Sequence, residues 1–273
     1  MGVWEWTLPH AHAPVLPNMH RIPTAFAHRP ALMPYLTLGY PDAETSLACV
    51  QVAAEAGADL IELGVPFSDP LADGPVIQRS TQIALENGIT VAKCLQMTTE
   101  LRRRGVTLPL LLMGYFNPIF SYDVSRFARD AATAGADGVI VPDLPLEEAA
   151  ELEAACRESS LSLIHMLAPT STPERIENVA ARASGFLYLV SVAGVTGERL
   201  GLPEGLKEFV SRVKQKAATP VAVGFGISTP AQAAEVGHFA DGVIVGSAVI
   251  RAAGGAQPVE AVRRLVNDLR RAL

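Results

Sequence analysis

Eight short apolar runs recur along this chain, each followed by a stretch of helical character, and no other property limits its fold so tightly. The runs lie at Leu32–Leu38, Asp59–Val65, Leu108–Tyr115, Asp137–Val141, Ser162–Leu167, Phe186–Val192, Val221–Phe225 and Gly242–Val245. They show little polar alternation, as expected for parallel strands covered on both faces. Between them come Ala/Glu/Arg-rich stretches such as Ser46–Ala56, Glu147–Glu158 and Gln257–Leu273. Thr172 and Thr229 each precede a proline, which predicts an N-cap with Pro at the first helical position. Most strand starts fall about 24 to 35 residues apart, but the gap after the second run is near 50 and predicts extra structure there. Eight βα units in 273 residues favour a closed (β/α)8 TIM barrel, whose usual size is roughly 250 residues, over an open doubly wound sheet.

Composition narrows the class of protein. Hydrophobic residues make up 49 % of the chain and charged ones 18 %, enough to bury a sizeable core and too apolar for disorder. A net charge of −6 argues against nucleic-acid or anionic-membrane binding, which needs a basic face. The longest apolar candidate, Leu108–Phe120, is interrupted by Pro109, Gly114, Asn117 and Pro118 and is too short to span a membrane. The N-terminus lacks the features of a secretory signal. Cys49, Cys94 and Cys156 are scattered, as reduced thiols in a cytoplasm would be. The expectation is a cytoplasmic α/β protein with one catalytic domain over residues 19–273 and an irregular, proline-rich extension over 1–18. Met19 is an alternative start. His10, His12 and His20 read as accidental composition rather than a metal site.

In such barrels chemistry sits at the C-terminal ends of the strands. Strand seven ends in Gly224-Phe225-Gly226-Ile227-Ser228 and strand eight in Gly246-Ser247-Ala248, where glycines let backbone N–H groups approach a phosphate. Strand two carries Glu62 in an apolar context, where a carboxylate is costly unless paired or functional. Burial would raise its pKa and suit it to acid/base work. Asp69 and Asp73 follow in a Gly/Pro-rich loop, where turn-forming aspartates are common. The lysines Lys93, Lys207, Lys214 and Lys216 fall in predicted helices, so none is placed for a Schiff base. No strand end offers a metal cluster or a cysteine, and His165 reads as a barrel histidine satisfied by neighbours. Arg102-Arg103-Arg104 reads as the basic last turn of a helix. Carboxylates remain as the candidate catalysts.

The segment Ile61–Pro75, with its Glu-Leu-Gly-Val-Pro-Phe-Ser-Asp-Pro-Leu-Ala-Asp-Gly-Pro core, closely resembles the signature of the tryptophan synthase α subunit family. The resemblance continues through Pro34–Pro41, Met113–Pro118, Val141–Pro145, Leu167–Thr170, Ala193–Gly197, Gly224–Gly226 and Gly246-Ser247, and covers about residues 19–273. It implies a retro-aldol cleavage of indole-3-glycerol phosphate to indole and glyceraldehyde 3-phosphate. It also implies no cofactor in this chain and a pyridoxal-phosphate-dependent β subunit as partner in an αββα heterotetramer.

By that resemblance Glu62 supplies the acid/base function, for one proton transfer or both, and Asp73 stabilises charge at the indole nitrogen. Gly197, Phe225, Gly226, Gly246 and Ser247 correspond to the phosphate-contacting region. Tyr35, Ile77, Tyr115 and Tyr188 correspond to the indole pocket. Ala193–Gly201 corresponds to a mobile lid in which Thr196 bonds Asp73 on closure. Residues 1–18 do not match the family. The rival readings are a stand-alone indole-3-glycerol phosphate lyase and a catalytically silent regulatory subunit, the latter disfavoured by intact Glu62 and Asp73.

Overall fold

The computed structural model describes residues 21–27, 30–190, 202–224 and 226–273. Nine parallel strand segments follow one another: β1 (Ala31–Thr37), β2 (Ile61–Gly64), β3 (Leu110–Met113), β4 (Gly138–Ile140), β5 (Ser162–Ile164), β6 (Met166–Leu167), β7 (Leu187–Val190), β8 (Val221–Gly224) and β9 (Gly242–Val245). All eight predicted runs therefore contain strand. The fifth is divided at His165: β5 pairs with β4, β6 pairs with β7, and β1 pairs with both β2 and β9. The two halves of one strand thus close the sheet into an eight-stranded barrel.

The helices are α1 (Arg21–Ala25), α2 (Ala43–Glu55), α3 (Pro75–Glu86), α4 (Val91–Arg103), α5 (Phe116–Tyr122), α6 (Val124–Ala134), α7 (Ala150–Glu158), α8 (Pro173–Arg182), α9 (Leu206–Lys214), α10 (Pro230–Gly237), α11 (Ser247–Ala253) and α12 (Pro258–Ala272). The long gap after strand two holds both α3 and α4. Thr172 and Thr229 cap α8 and α10 as predicted, and Gln232 completes a capping box with Thr229. Lys216 departs from expectation: it lies past the end of α9 and pairs with Glu177. None of the helices described is long and apolar enough to cross a membrane.

Two apolar layers follow from the strand period of two. Met33, Leu111, Ile140, Ile164, Phe186, Ala222 and Ile244 fill the barrel interior, while Leu32, Leu63, Leu112, Val139, Leu163 and Val243 pack outward under the helices. His165 shares the outward side of Leu163. Its Nε2 lies 2.9 Å from Oε1 of Glu153 on α7, and burial lowers its pKa against the opposing pull of that carboxylate. Cys49, Cys94 and Cys156 are buried free thiols.

The N-terminal rim of the barrel is tied by three aspartates that open strands. Asp59, Asp137 and Asp241 accept the backbone N–H of Leu32, Leu110 and Val221 respectively, each on the preceding neighbour strand. Each also holds a cation: Arg270 on Asp59, Arg21 and Arg102 on Asp137, and Lys214 on Asp241. The basic run therefore does more than complement a helix dipole. Arg102 also donates to the carbonyls of Gly135, Val106 and Leu108, while Arg104 pairs with Glu44 and Glu100.

Candidate active site

Strand register brings the first pair of site residues together. Tyr35 on β1 stands directly beside Glu62 on β2, and Glu62 beside Leu111 on β3, so all three point into the barrel. Glu62 is wholly buried, and neither carboxylate oxygen has a hydrogen-bond partner among the described residues. Desolvation favours the neutral acid and pushes its pKa up to about 8.

Asp73 reaches the same cavity from the loop between β2 and α3. It too is buried, but the Tyr115 hydroxyl donates to its Oδ2 at 3.0 Å. Burial raises this carboxyl to about 6, with the tyrosine hydrogen bond acting in the opposite direction. The cavity thus holds one carboxyl that is mostly protonated at neutral pH and one that is mostly ionised.

The cavity at the C-terminal mouth also gathers Tyr35, Ile77, Tyr188, Gly226, Gly246 and Ser247. Gly226 has φ +87°, a region that side chains strain to enter. Gly246 is different: a Cβ there would meet Ile77 at 3.5 Å, ordinary contact. The surrounding protein therefore leaves space over that backbone. Gly224 owes its lack of a side chain to Tyr188 instead, whose hydroxyl would lie 2.3 Å from an added Cβ.

Tyr115, expected in the indole pocket, lies one hydrogen bond from this cavity, its hydroxyl donating to Asp73, and is not among the described residues that line it. Thr196, Gly197, Phe225 and the Ala193–Gly201 segment lie outside the described residues, as does the 1–18 extension. Ser228, from the strand-seven end segment, also lines the cavity, as do Met113, Ile244 and Arg251, which were not singled out from sequence. Arg251 could have been found: it lies four residues after Ser247 on α11, hence on the same helix face. It is the cation among the described lining residues, in a cavity whose other ionisable side chains are carboxyls and tyrosines.

The family model described as "Tryptophan synthase alpha chain" matches residues 24–271. The chain is 48 % identical over 255 residues to the tryptophan synthase alpha chain of Dehalococcoides mccartyi, covering 93 % of this chain and 100 % of that one. It is 51 % identical over 257 residues to the corresponding chain of a Roseiflexus species, covering 92 % and 98 %. Among solved structures, tryptophan synthase subunit alpha from Legionella pneumophila superposes with a TM-score of 0.85 at 40 % identity, covering 93 % of this chain and 98 % of that one.

Proposed function

The chain belongs to the tryptophan synthase alpha chain family, and on that premise we propose that Glu62 and Asp73 carry the family reaction. That reaction is a lyase step of tryptophan biosynthesis, the cleavage of indole-3-glycerol phosphate to indole and glyceraldehyde 3-phosphate. The observation that carries the proposal is the pair of buried carboxyls in one barrel-mouth cavity, both raised by burial but Glu62 further than the Tyr115-bonded Asp73.

Glu62 enters as the acid and gives its proton to indole C3. The ring nitrogen takes up positive charge, which the Asp73 carboxylate stabilises. The Glu62 carboxylate left behind, desolvated and without a hydrogen-bond partner among the described residues, then takes the proton of the adjoining glycerol hydroxyl. The carbon–carbon bond breaks as the carbonyl forms, and its electrons return to the ring. Indole leaves as its own electron sink, so the residues named need supply only proton transfer and charge stabilisation.

Gly226, Gly246 and Ser247 receive the phosphate, with Gly197 and Phe225 assigned beside them by family resemblance. The room over Gly246 and the positive charge of Arg251 support this placement. Tyr35, Ile77 and Tyr188 wall the indole, and Thr196 on the lid acts on Asp73. The catalytic domain is residues 19–273 and the working compartment is the cytoplasm. The partner is a β subunit carrying pyridoxal phosphate, within an αββα assembly. Leu71, 89 % exposed, and Phe120, 63 % exposed, follow β2 and β3 at the same barrel end as the site and supply an apolar face for that partner.

The test is indole release from indole-3-glycerol phosphate, alone and with β subunit, by wild type and Glu62→Gln across pH. Wild-type kcat/KM should follow a bell with limbs near 6 and 8, and Glu62→Gln should lose at least ~10²-fold. A Glu62→Gln enzyme within threefold of wild type refutes the assignment.

A further inference from the structure

We propose that the Tyr115 hydroxyl positions the Asp73 carboxylate and the loop that carries it, so that Tyr115 acts on the reaction through Asp73 rather than as a wall of the indole pocket. This rests on the reading of Asp73 given above.

The geometry fixes the direction of the hydrogen bond. A tyrosine hydroxyl has one proton to donate and lone pairs with which to accept. The Ala72 N–H donates to the Tyr115 oxygen at 3.0 Å, which leaves the hydroxyl proton for Asp73 Oδ2, also at 3.0 Å. One side chain from the far side of β2 thus holds consecutive residues of the loop, one by backbone and one by side chain.

Tyr115 is well placed to hold that loop still. It directly follows β3 as the N-cap residue of α5 and is itself buried. Its ring packs against Phe67, from the same loop, with centroids 5.4 Å apart. The loop end is pinned again where Asp73 N–H donates to Pro70 O and Gln78 Nε2 donates to Asp73 O. A carboxylate so held faces indole nitrogen without having to reorganise as charge develops, which is where preorganised groups act. The hydrogen bond also favours the ionised form, the form the reaction needs, against the burial that disfavours it.

Tyr115→Phe keeps the ring and deletes only the hydroxyl. With full-length protein and indole-3-glycerol phosphate, kcat should fall about tenfold with KM changed less than twofold, and the acidic limb of kcat/KM should move to higher pH. The carboxyl carbon of Asp73, followed by NMR in selectively labelled protein, should titrate at higher pH in the variant. A merely structural or wall-lining tyrosine would move neither the limb nor the titration. Asp73→Asn, run in parallel, separates the two layers of the argument. If Asp73→Asn is severely impaired while Tyr115→Phe keeps wild-type kcat and pH profile, this inference fails and the reading of Asp73 stands. If Asp73→Asn is itself nearly as active as wild type, the reading of Asp73 fails and takes this inference with it.

Discussion

The hydroxyl of Tyr35 fills the space that a side chain on Gly64 would need: a Cβ at position 64 would stand 2.0 Å from Oη and 2.5 Å from Cζ. Tyr35 is the register neighbour of Glu62, so this close approach sets the wall beside the acid. Gly64→Ala must push the ring out of place. The expected result is a loss of about 1–3 kcal/mol of stability, the usual cost of overpacking, together with a large fall in indole release. Adding Tyr35→Phe should not rescue it, because Cζ is still too near. Thermal unfolding and steady-state kinetics of the three variants check this, and a stable, active Gly64→Ala would contradict it.

Glu62 should cost the folded protein stability as pH rises. Its folded pKa is about 8, whereas an unfolded glutamate loses its proton near ~4.3. Between those values the native state binds more protons than the unfolded state, so stability declines with rising pH and levels off above ~8. Glutamine has no proton to lose. Denaturant unfolding should therefore show Glu62→Gln gaining on wild type from about pH 4.5 to 8, by an amount on the order of a few kcal/mol. A pH-independent difference would mean that Glu62 is not held as a neutral acid.

Gly246→Ala isolates the phosphate site from the fold. The backbone there, at φ −103°, admits alanine, and the nearest atom to the new Cβ is in ordinary contact. Thermal stability should stay near wild type while KM for the substrate and Kd for glycerol phosphate rise at least about tenfold, each tenfold being about 1.4 kcal/mol of lost binding. Gly226→Val confounds the two effects, since its positive φ strains the variant whether or not a phosphate binds nearby. Unchanged affinity in Gly246→Ala would move the phosphate elsewhere.

Asp137 should matter to stability and hardly at all to chemistry. Its carboxylate serves Leu110 N–H, Arg21 and Arg102 at the rim opposite the site. Asp137→Ala leaves two half-buried guanidiniums, Arg21 and Arg102, without their carboxylate and a buried N–H without its side-chain acceptor. Breaking a buried pair in this way costs roughly 3–5 kcal/mol. Urea unfolding should show that loss, and the KM of the folded fraction should be unchanged.

Much of the site was legible in the chain because its residues are concentrated in local motifs. Glu62 stands out as a carboxylate in an apolar strand, and Gly246-Ser247 as a strand-end pair of small residues. Arg251 was legible in principle through its helical spacing from Ser247. Tyr115 was legible only as a pocket residue by family resemblance; its hydrogen bond to Asp73 was not, because that contact is made to a loop 42 residues earlier in the chain. The rim formed by the strand-opening aspartates was not legible, since their partners arrive from distant helices and neighbouring strands.

The sequence by itself determined the order and approximate places of the strands, the presence of extra structure after the second one, the proline-led starts of α8 and α10, and the family signature at Ile61–Pro75. These follow from spacing, capping and composition within short windows. The tertiary structure alone decided which side of each strand faces the barrel interior. Strands buried on both faces carry apolar residues at odd and even positions alike, so period two assigns no inside. Closure of β5 and β6 onto β4 and β7 fixes that choice. It turns Tyr35, Glu62 and Tyr188 inward and His165 outward, and it sets the unequal protonation of Glu62 and Asp73 by burying one without a hydrogen bond from the described residues and the other against Tyr115.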